Sequence, residues 1–297
     1  EMMRDKINFL TFFWGSKYTE EHINILFNAL TDTCGFPFEL HVMSDRPLEE
    51  LNPGIQQYSL WPDHACEGRC WRRLRGFCLD TMAFLGHYIQ LDIDVFLMPG
   101  FGDLAQSIYG NKFTLCRSEN PHKPRNPYSG TIWQVDDLGL TDRIIWREFI
   151  RLKHEWGIPL NRAAVRLHNL GYNGSDSAII GWCMSKYRGE VKSIGAAEGI
   201  VSFPHHIVEP GLNEPPDFAR VVLFHGQGND YMREELIFRF KFIRDYLDKY
   251  STKKVTCGII DELIERFFGS NVRPTLRDNL RAFSSELISI GGFYGRK

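Results

Sequence analysis

His87-Tyr88-Ile89-Gln90-Leu91-Asp92-Ile93-Asp94-Val95-Phe96-Leu97-Met98, followed by Pro99-Gly100, decides the fold. It is the chain's strongest strand signal, an apolar run broken by Asp92 and Asp94, with Pro99-Gly100 turning the chain after it. Read as one strand, side-chain alternation puts both carboxylates on the same face, two residues apart. Two carboxylates so placed repel one another and resist desolvation unless a cation lies between them. A hard divalent ion, Mn²⁺ or Mg²⁺, satisfies both and keeps positions open for diphosphate oxygens. There it would act as a Lewis acid towards a departing nucleotide diphosphate. The plainer reading is a strand end emerging into solvent, since an isolated Asp-x-Asp is a common pattern. The buried run before the pair and the turn after it favour the cation site.

On either side of this stretch, short apolar runs alternate with helical patterns over the first two-thirds of the chain, as in a largely parallel sheet covered by helices. Ile7 to Trp14 predicts a buried first strand ending at Gly15. Thr19-Glu20-Glu21 supplies a cap and an acidic first turn, and Ile23, Leu26, Phe27 and Leu30 follow at helical spacing. Phe38 to Met43 and Ile55 to Trp61 read as further strands. Cys70 to Phe77 reads as a helix with Trp71, Leu74 and Phe77 facing inward. Lys112 to Cys116, Tyr128 to Val135 and Val221 to Phe224 complete the strands, while Asp142–Trp156 and Asn173–Tyr187 read as helical. Ser118 to Pro127, with Pro121, Pro124 and Pro127 among basic residues, predicts a loop over a cleft. These readings give a domain over 1–230 and a helical appendage over 231–297. The appendage carries 13 Lys/Arg against 9 Asp/Glu, a surplus of four that leaves the rest at −6.

The whole chain of 297 residues is 43% hydrophobic and 24% charged with a formal net charge of −2, so no overall field points to nucleic acid. Seven scattered cysteines, an odd number, argue against a disulfide framework. Cys66, Cys70 and Cys78, near His64 and His87, match none of the short zinc-ligand spacings. The sequence holds no run of 18 apolar residues. With no basic-then-apolar leader at its start, it reads as cytoplasmic.

Several motifs, in order from Phe9 to about Tyr231, resemble bacterial-type glycosyltransferases of the GT-A (Rossmann-like) fold. The pattern is similar to the glycogenin-like and galactosyltransferase-like retaining enzymes of family 8 type. Phe12-Phe13-Trp14-Gly15-Ser16-Lys17-Tyr18 resembles the first strand and turn that hold the nucleotide, and Ser44-Asp45 the acidic end of the second strand, facing the base. Trp71-Arg72-Arg73-Leu74 resembles the helix start against the donor, and Leu91-Asp92-Ile93-Asp94 the Asp-x-Asp metal signature. Tyr128-Ser129-Gly130-Thr131 looks like the small-residue strand beside the donor sugar. Gly174-Ser175-Asp176 looks like the acidic motif near sugar and acceptor, with Ser177 where the family has Gln. Leu223-Phe224-His225-Gly226 is similar to the closing strand whose His is the third metal ligand. The Lys and Pro that should follow are replaced by Gly228-Asn229-Asp230, leaving phosphate binding to Arg73, Lys17 or a loop residue.

The resemblance implies an Mn²⁺- or Mg²⁺-dependent enzyme moving a sugar from a nucleotide-diphosphate donor, of UDP type, to a saccharide or glycan acceptor, with retention. Five features keep two roles open. His225 fits a metal ligand or a turn histidine. Gly226 and Gly228 fit close approach of backbone to phosphate or ordinary turn chemistry. Asp176 fits a helix cap or a sugar-contacting catalytic carboxylate. Arg69, Arg72, Arg73 and Arg75 fit a solvated face or a diphosphate clamp. The stretch Phe238-Arg239-Phe240-Lys241-Phe242 fits peripheral contact with an anionic membrane or a helix covering the sheet. Other functional classes are a nucleotidyltransferase, disfavoured by the aromatic turn after the first strand, and a non-catalytic nucleotide-sugar-binding module.

Overall fold

A computed structural model of the chain describes residues 6–60, 69–110, 112–118, 127–156, 160–172, 174, 176–224 and 230–252. Ten strands run through these residues. They are β1 (Ile7–Phe13), β2 (Phe38–Ser44), β3 (Ile55–Ser59), β4 (Tyr88–Leu91) and β5 (Val95–Leu97). β6 (Thr114–Arg117), β7 (Tyr128–Val135), β8 (Lys192–Ile194), β9 (Ile200–Ser202) and β10 (Val221–Leu223) follow. The larger sheet has the order β3-β2-β1-β4-β7-β6-β8. β3, β2, β1 and β4 are parallel, β7 is antiparallel to both its neighbours, and β8 is parallel to β6. This is the mostly parallel, helix-flanked α/β sheet the sequence predicts.

The chain steps from β1 outward to β2 and β3, then returns to the other side of β1 as β4. The carboxyl ends of β1 and β4 therefore flank a switch point, where open α/β sheets place their ligands.

The run His87–Met98 differs from the expectation of one strand. It is two strands in two sheets: β4 belongs to the large sheet, while β5 joins a small sheet of order β5-β10-β9, antiparallel to β10. Asp92, Ile93 and Asp94 form the link. Two charges cannot be threaded through a dry sheet, so the ladder ends at them and resumes once the sequence is apolar again. Strand alternation therefore does not place the pair. The link does, and it keeps Ile93 buried between them.

The helix Glu20–Thr33 begins as expected after Thr19, whose N–H donates to His22 Nδ1 at 3.2 Å. Arg69–Phe77 is a 3₁₀ helix. With three residues per turn, positions three apart eclipse one another, so Trp71, Leu74 and Phe77 form a single buried ridge. Trp71 stacks on Phe149 at 5.6 Å between centroids. The Cys70, Arg73 and Gly76 ridge faces elsewhere, and Gly76 is fixed by a buried relay. Trp133 Nε1 donates to the Tyr88 hydroxyl at 3.3 Å, and that hydroxyl donates to the Gly76 carbonyl. A Cβ at Gly76 would stand 2.9 Å from the Tyr88 oxygen and 3.3 Å from the Trp133 ring, so this position needs glycine.

The chain divides into two compact units, one of Glu1–Val201 and Phe218–Leu223, the other of Ser202–Asp217 and Phe224–Lys297. The first holds the sheets. The regular elements that lie wholly within the described residues of the second are helices, with Phe203–Val208 a π-helix and Glu234–Arg239 and Lys241–Tyr250 α-helices. Its core is aromatic: Phe203 lies 4.6 Å from Phe224 and 5.1 Å from Phe240. Ile237, Ile243 and Leu247 are also buried, as their helical spacing predicts. Phe240 is thus a core residue, with the half-buried Phe242 packed on it at 5.8 Å. Arg239 and Lys241 are exposed, whereas Arg244 donates to the Ile237 carbonyl at 2.7 Å. Residues 253–297 of the expected appendage lie outside the described residues. No helix among the described residues is long and apolar enough to cross a membrane.

The Gly76 relay gives a direct test. Gly76→Ala is expected to lower stability in urea unfolding by about 1–3 kcal/mol through overpacking. Tyr88→Phe is expected to lower it by about 1–3 kcal/mol by orphaning buried polar groups.

Candidate active site

Three elements converge at the carboxyl end of β4. Just past the strand, the Asp92 N–H still donates to the Thr131 carbonyl of β7 at 2.9 Å, which holds the link against the sheet. The 3₁₀ helix brings Arg73, buried at 6% exposure. Its Nη1 reaches Asp92 Oδ2 at 2.5 Å and its Nη2 reaches Asp176 Oδ2 at 2.8 Å. Asp176 is the first residue of the helix Asp176–Lys186. Its carboxylate is turned to Arg73.

The strand β7 passes beside this bridge. The Asp176 carboxylate sits directly against Gly130, where a Cβ would collide with it, and the Gly130 N–H donates to Ser177 Oγ at 3.0 Å. Ser177 is therefore committed to the backbone of β7. Ser129 and Thr131 hydroxyls bond one another at 2.8 Å. The helix Asp176–Lys186 is anchored from behind. Glu148 accepts from Trp182 Nε1 at 3.1 Å and from Lys186 Nζ at 2.9 Å, and Arg151 grips it with two nitrogens. Arg151, with help from Lys186 and Trp182, holds the Glu148 carboxyl down at about 2.

Asp94, at the far end of the link, is buried at 5% exposure. The Tyr18 hydroxyl donates to its Oδ2, and Lys17 Nζ stands 3.5 Å from the same oxygen. Burial foremost, and the charge of Asp92 next, push the Asp94 carboxyl up to about 7; Lys17, Tyr18 and Arg73 work the other way. Burial opposes the charge on Arg73, but Asp176 and Asp92 more than offset it and carry its pKa well above the usual value.

A second cluster closes the ends of β1 and β2. Asp45 Oδ2 accepts from the Gly15 N–H at 3.0 Å and from Arg72 Nη1 at 3.1 Å. Arg46 Nη1 donates to the Gly15 carbonyl at 2.7 Å and stacks over Phe13.

Of the expected site residues, Asp92, Asp94, Arg73, Asp176, Lys17, Tyr18, Ser129 and Gly130 thus gather around the β4 end. Gly15 and Asp45 form the neighbouring cluster. Phe12, Phe13, Leu74 and Ile93 have buried side chains that belong to the core, and Trp14 is half-buried. His225, Gly226, Gly228 and 119–126 of the expected loop lie outside the described residues. Sequence reasoning missed the Arg73 bridge from Asp92 to Asp176 and the role of Ser177. The three-residue spacing of Trp71, Leu74 and Phe77 was the available signal for a 3₁₀ helix, which separates Arg73 from Arg72.

Among the described residues no group of three His, Cys, Asp or Glu side chains is arranged to hold a metal. The Asp92–Asp94 pair nevertheless fits a hard dication. Both donors are carboxylate oxygens, and the burial and mutual repulsion that push the Asp94 carboxyl towards its neutral form are what a shared cation would offset.

The sign of that shift fixes a pH dependence. The folded protein holds the Asp94 proton more tightly than the unfolded chain. Ionising Asp94 therefore weakens the fold, and the loss accumulates as pH rises from the ordinary carboxylate range to about 7. In chelator-treated protein, Asp94→Asn should remove this part of the slope. The variant should be at least as stable as the parent at pH 8 and lose that advantage near pH 4, as read by urea unfolding at both values.

No family model matches the chain, and no curated protein matches it by sequence. Solved structures do. The galactosyltransferase LgtC in complex with donor and acceptor sugar analogs is 11% identical, with a TM-score of 0.54 over 82% of this chain and 96% of that one. An active-site mutant of LgtC matches with a TM-score of 0.53 at 11% identity, over 81% of this chain and 94% of that one. The glycosyltransferase GlyE in Streptococcus pneumoniae TIGR4 matches with a TM-score of 0.53 at 12% identity, over 86% of this chain and 63% of that one. At these identities what is shared is the fold, and the chain has the GT-A fold of these glycosyltransferases.

Proposed function

We propose that the protein is a glycosyltransferase that moves a sugar from a nucleotide-diphosphate donor, of UDP type, to a saccharide or glycan acceptor, with retention. The observation that carries this reading is the Asp92–Arg73–Asp176 bridge beside Asp94 at the β1/β4 switch point. It puts four charged side chains together where a GT-A fold receives its donor.

Asp92 and Asp94, with His225 expected as a third ligand, would hold Mn²⁺ or Mg²⁺. When bound, the ion offsets the negative charge of the departing diphosphate. Asp176 lies against Gly130 of β7, the strand expected beside the donor sugar. Held in place by Arg73, it would face positive charge developing at the anomeric carbon with a preorganised carboxylate. The turn at Gly15 and Asp45 would take the nucleotide end. The exposed Arg239 and Lys241 of the second unit support an anionic or lipid-linked glycan acceptor, with 231–297 as its accessory segment.

Thermal-shift measurement against a panel of nucleotide sugars, with and without Mn²⁺, tests the proposal. One donor is expected to stabilise the protein with metal and not after chelation. The gain should be about 2.7 kcal/mol at a hundredfold excess over Kd. Equal stabilisation with and without metal would refute the metal-bridged donor site, and no response to any nucleotide sugar would refute the function.

A further inference from the structure

The geometry points to Lys17 as the residue that binds the donor diphosphate. This inference deepens the proposed function and rests on it. Four described cations stand at the site, each with an acidic partner, and they differ in how far they are exposed. Arg73 is buried and spans Asp92 and Asp176. Arg72 is held by Asp45, and Arg46 by Asp45 and the Gly15 carbonyl. Lys17 differs from all of them. Its side chain is 54% exposed, it lies on the turn that leaves β1, and its ammonium stands 3.5 Å from Asp94 Oδ2. It also lies 4.3 Å from the centre of the Tyr18 ring and bonds the Tyr18 hydroxyl, which itself bonds Asp94.

Lys17 therefore offers a positive charge to the carboxylate that a dication would claim. The two compete for Asp94. Were Asp94 to serve a shared ion, Lys17 would be released from it and its flexible stem would leave the ammonium free to meet a diphosphate bound there. A lysine suits such a handover, because its ammonium is a compact charge on a flexible stem rather than a fixed fork.

This competition gives two effects of opposite sign, which separate it from a merely structural role. Lys17→Met should weaken calorimetric binding of UDP in the presence of Mn²⁺ by about ten- to hundredfold, the effect of losing a charge-assisted hydrogen bond. Lys17→Arg should restore most of that loss. UMP, which lacks the second phosphate, should change little. Mn²⁺ alone should bind Lys17→Met at least as tightly as the parent, because a competitor for Asp94 is gone. Lys17 is exposed, so the melting temperature should stay close to the parent's. Unchanged UDP affinity in Lys17→Met overturns the assignment while leaving the proposed function standing. Joint loss of UDP and Mn²⁺ affinity also overturns it, by showing that Lys17 only holds the carboxylates in place. A parent protein that binds neither UDP nor Mn²⁺ overturns the assignment and the proposed function together.

Discussion

A guanidinium in the interior needs carboxylates on both arms, since burying an unpaired charge is prohibitive and even a paired one surrenders several kcal/mol of hydration per ion. Arg73 meets that need with Asp92 on one side and Asp176 on the other. The three residues come from a 3₁₀ helix, a link between two sheets and the first turn of an α-helix, so the bridge fixes three backbones relative to one another. Nothing about the core requires charges here. A hydrophobic cluster of the same volume would serve the fold as well, which is why a buried arginine paired with two carboxylates at a strand end reads as machinery kept for a ligand.

The topology explains why the charges lie here. β1 is flanked by β2 on one side and β4 on the other, and the chain enters these neighbours by opposite routes. The crevice so opened is lined by Lys17 and Tyr18, on the turn after β1, and by Asp92 and Asp94, on the link after β4. Their contacts cross it through Asp94. Next to it, Asp45 joins the turns after β1 and β2 to the 3₁₀ helix through Gly15 and Arg72. Carboxylates and cations thus stand side by side at this end of the sheet.

Much of this was legible in the sequence, for identifiable reasons. Buried runs such as Ile7–Phe13 and Tyr128–Val135 announce themselves by composition, and the burial of Ile237, Phe240, Ile243 and Leu247 follows from helical spacing. The Asp-x-Asp was legible as a break in an apolar run. What the run did not disclose is that β4 and β5 belong to different sheets, because a strand that ends and restarts three residues later has the same composition as one that continues. Nor could spacing show that Arg73, 19 residues before Asp92, turns to it while Arg72 turns to Asp45. That depends on the three-residue turn of a 3₁₀ helix, which single-sequence patterns blur into an ordinary helix. The short strands Lys192–Ile194 and Ile200–Ser202 escaped for a simpler reason: three residues are too few for alternation to register.

The central claim is that the Asp92–Asp94 link, braced by Arg73, holds a divalent ion that carries a nucleotide diphosphate. A crystal structure grown with UDP and Mn²⁺ tests it most directly, through the anomalous signal of manganese. The account predicts one manganese coordinated by both Asp92 and Asp94 and by diphosphate oxygens, with the Arg73 bridge to Asp176 intact and the nucleoside towards Gly15 and Asp45. Manganese bound away from these carboxylates, or UDP seated outside the β1/β4 crevice, would contradict it.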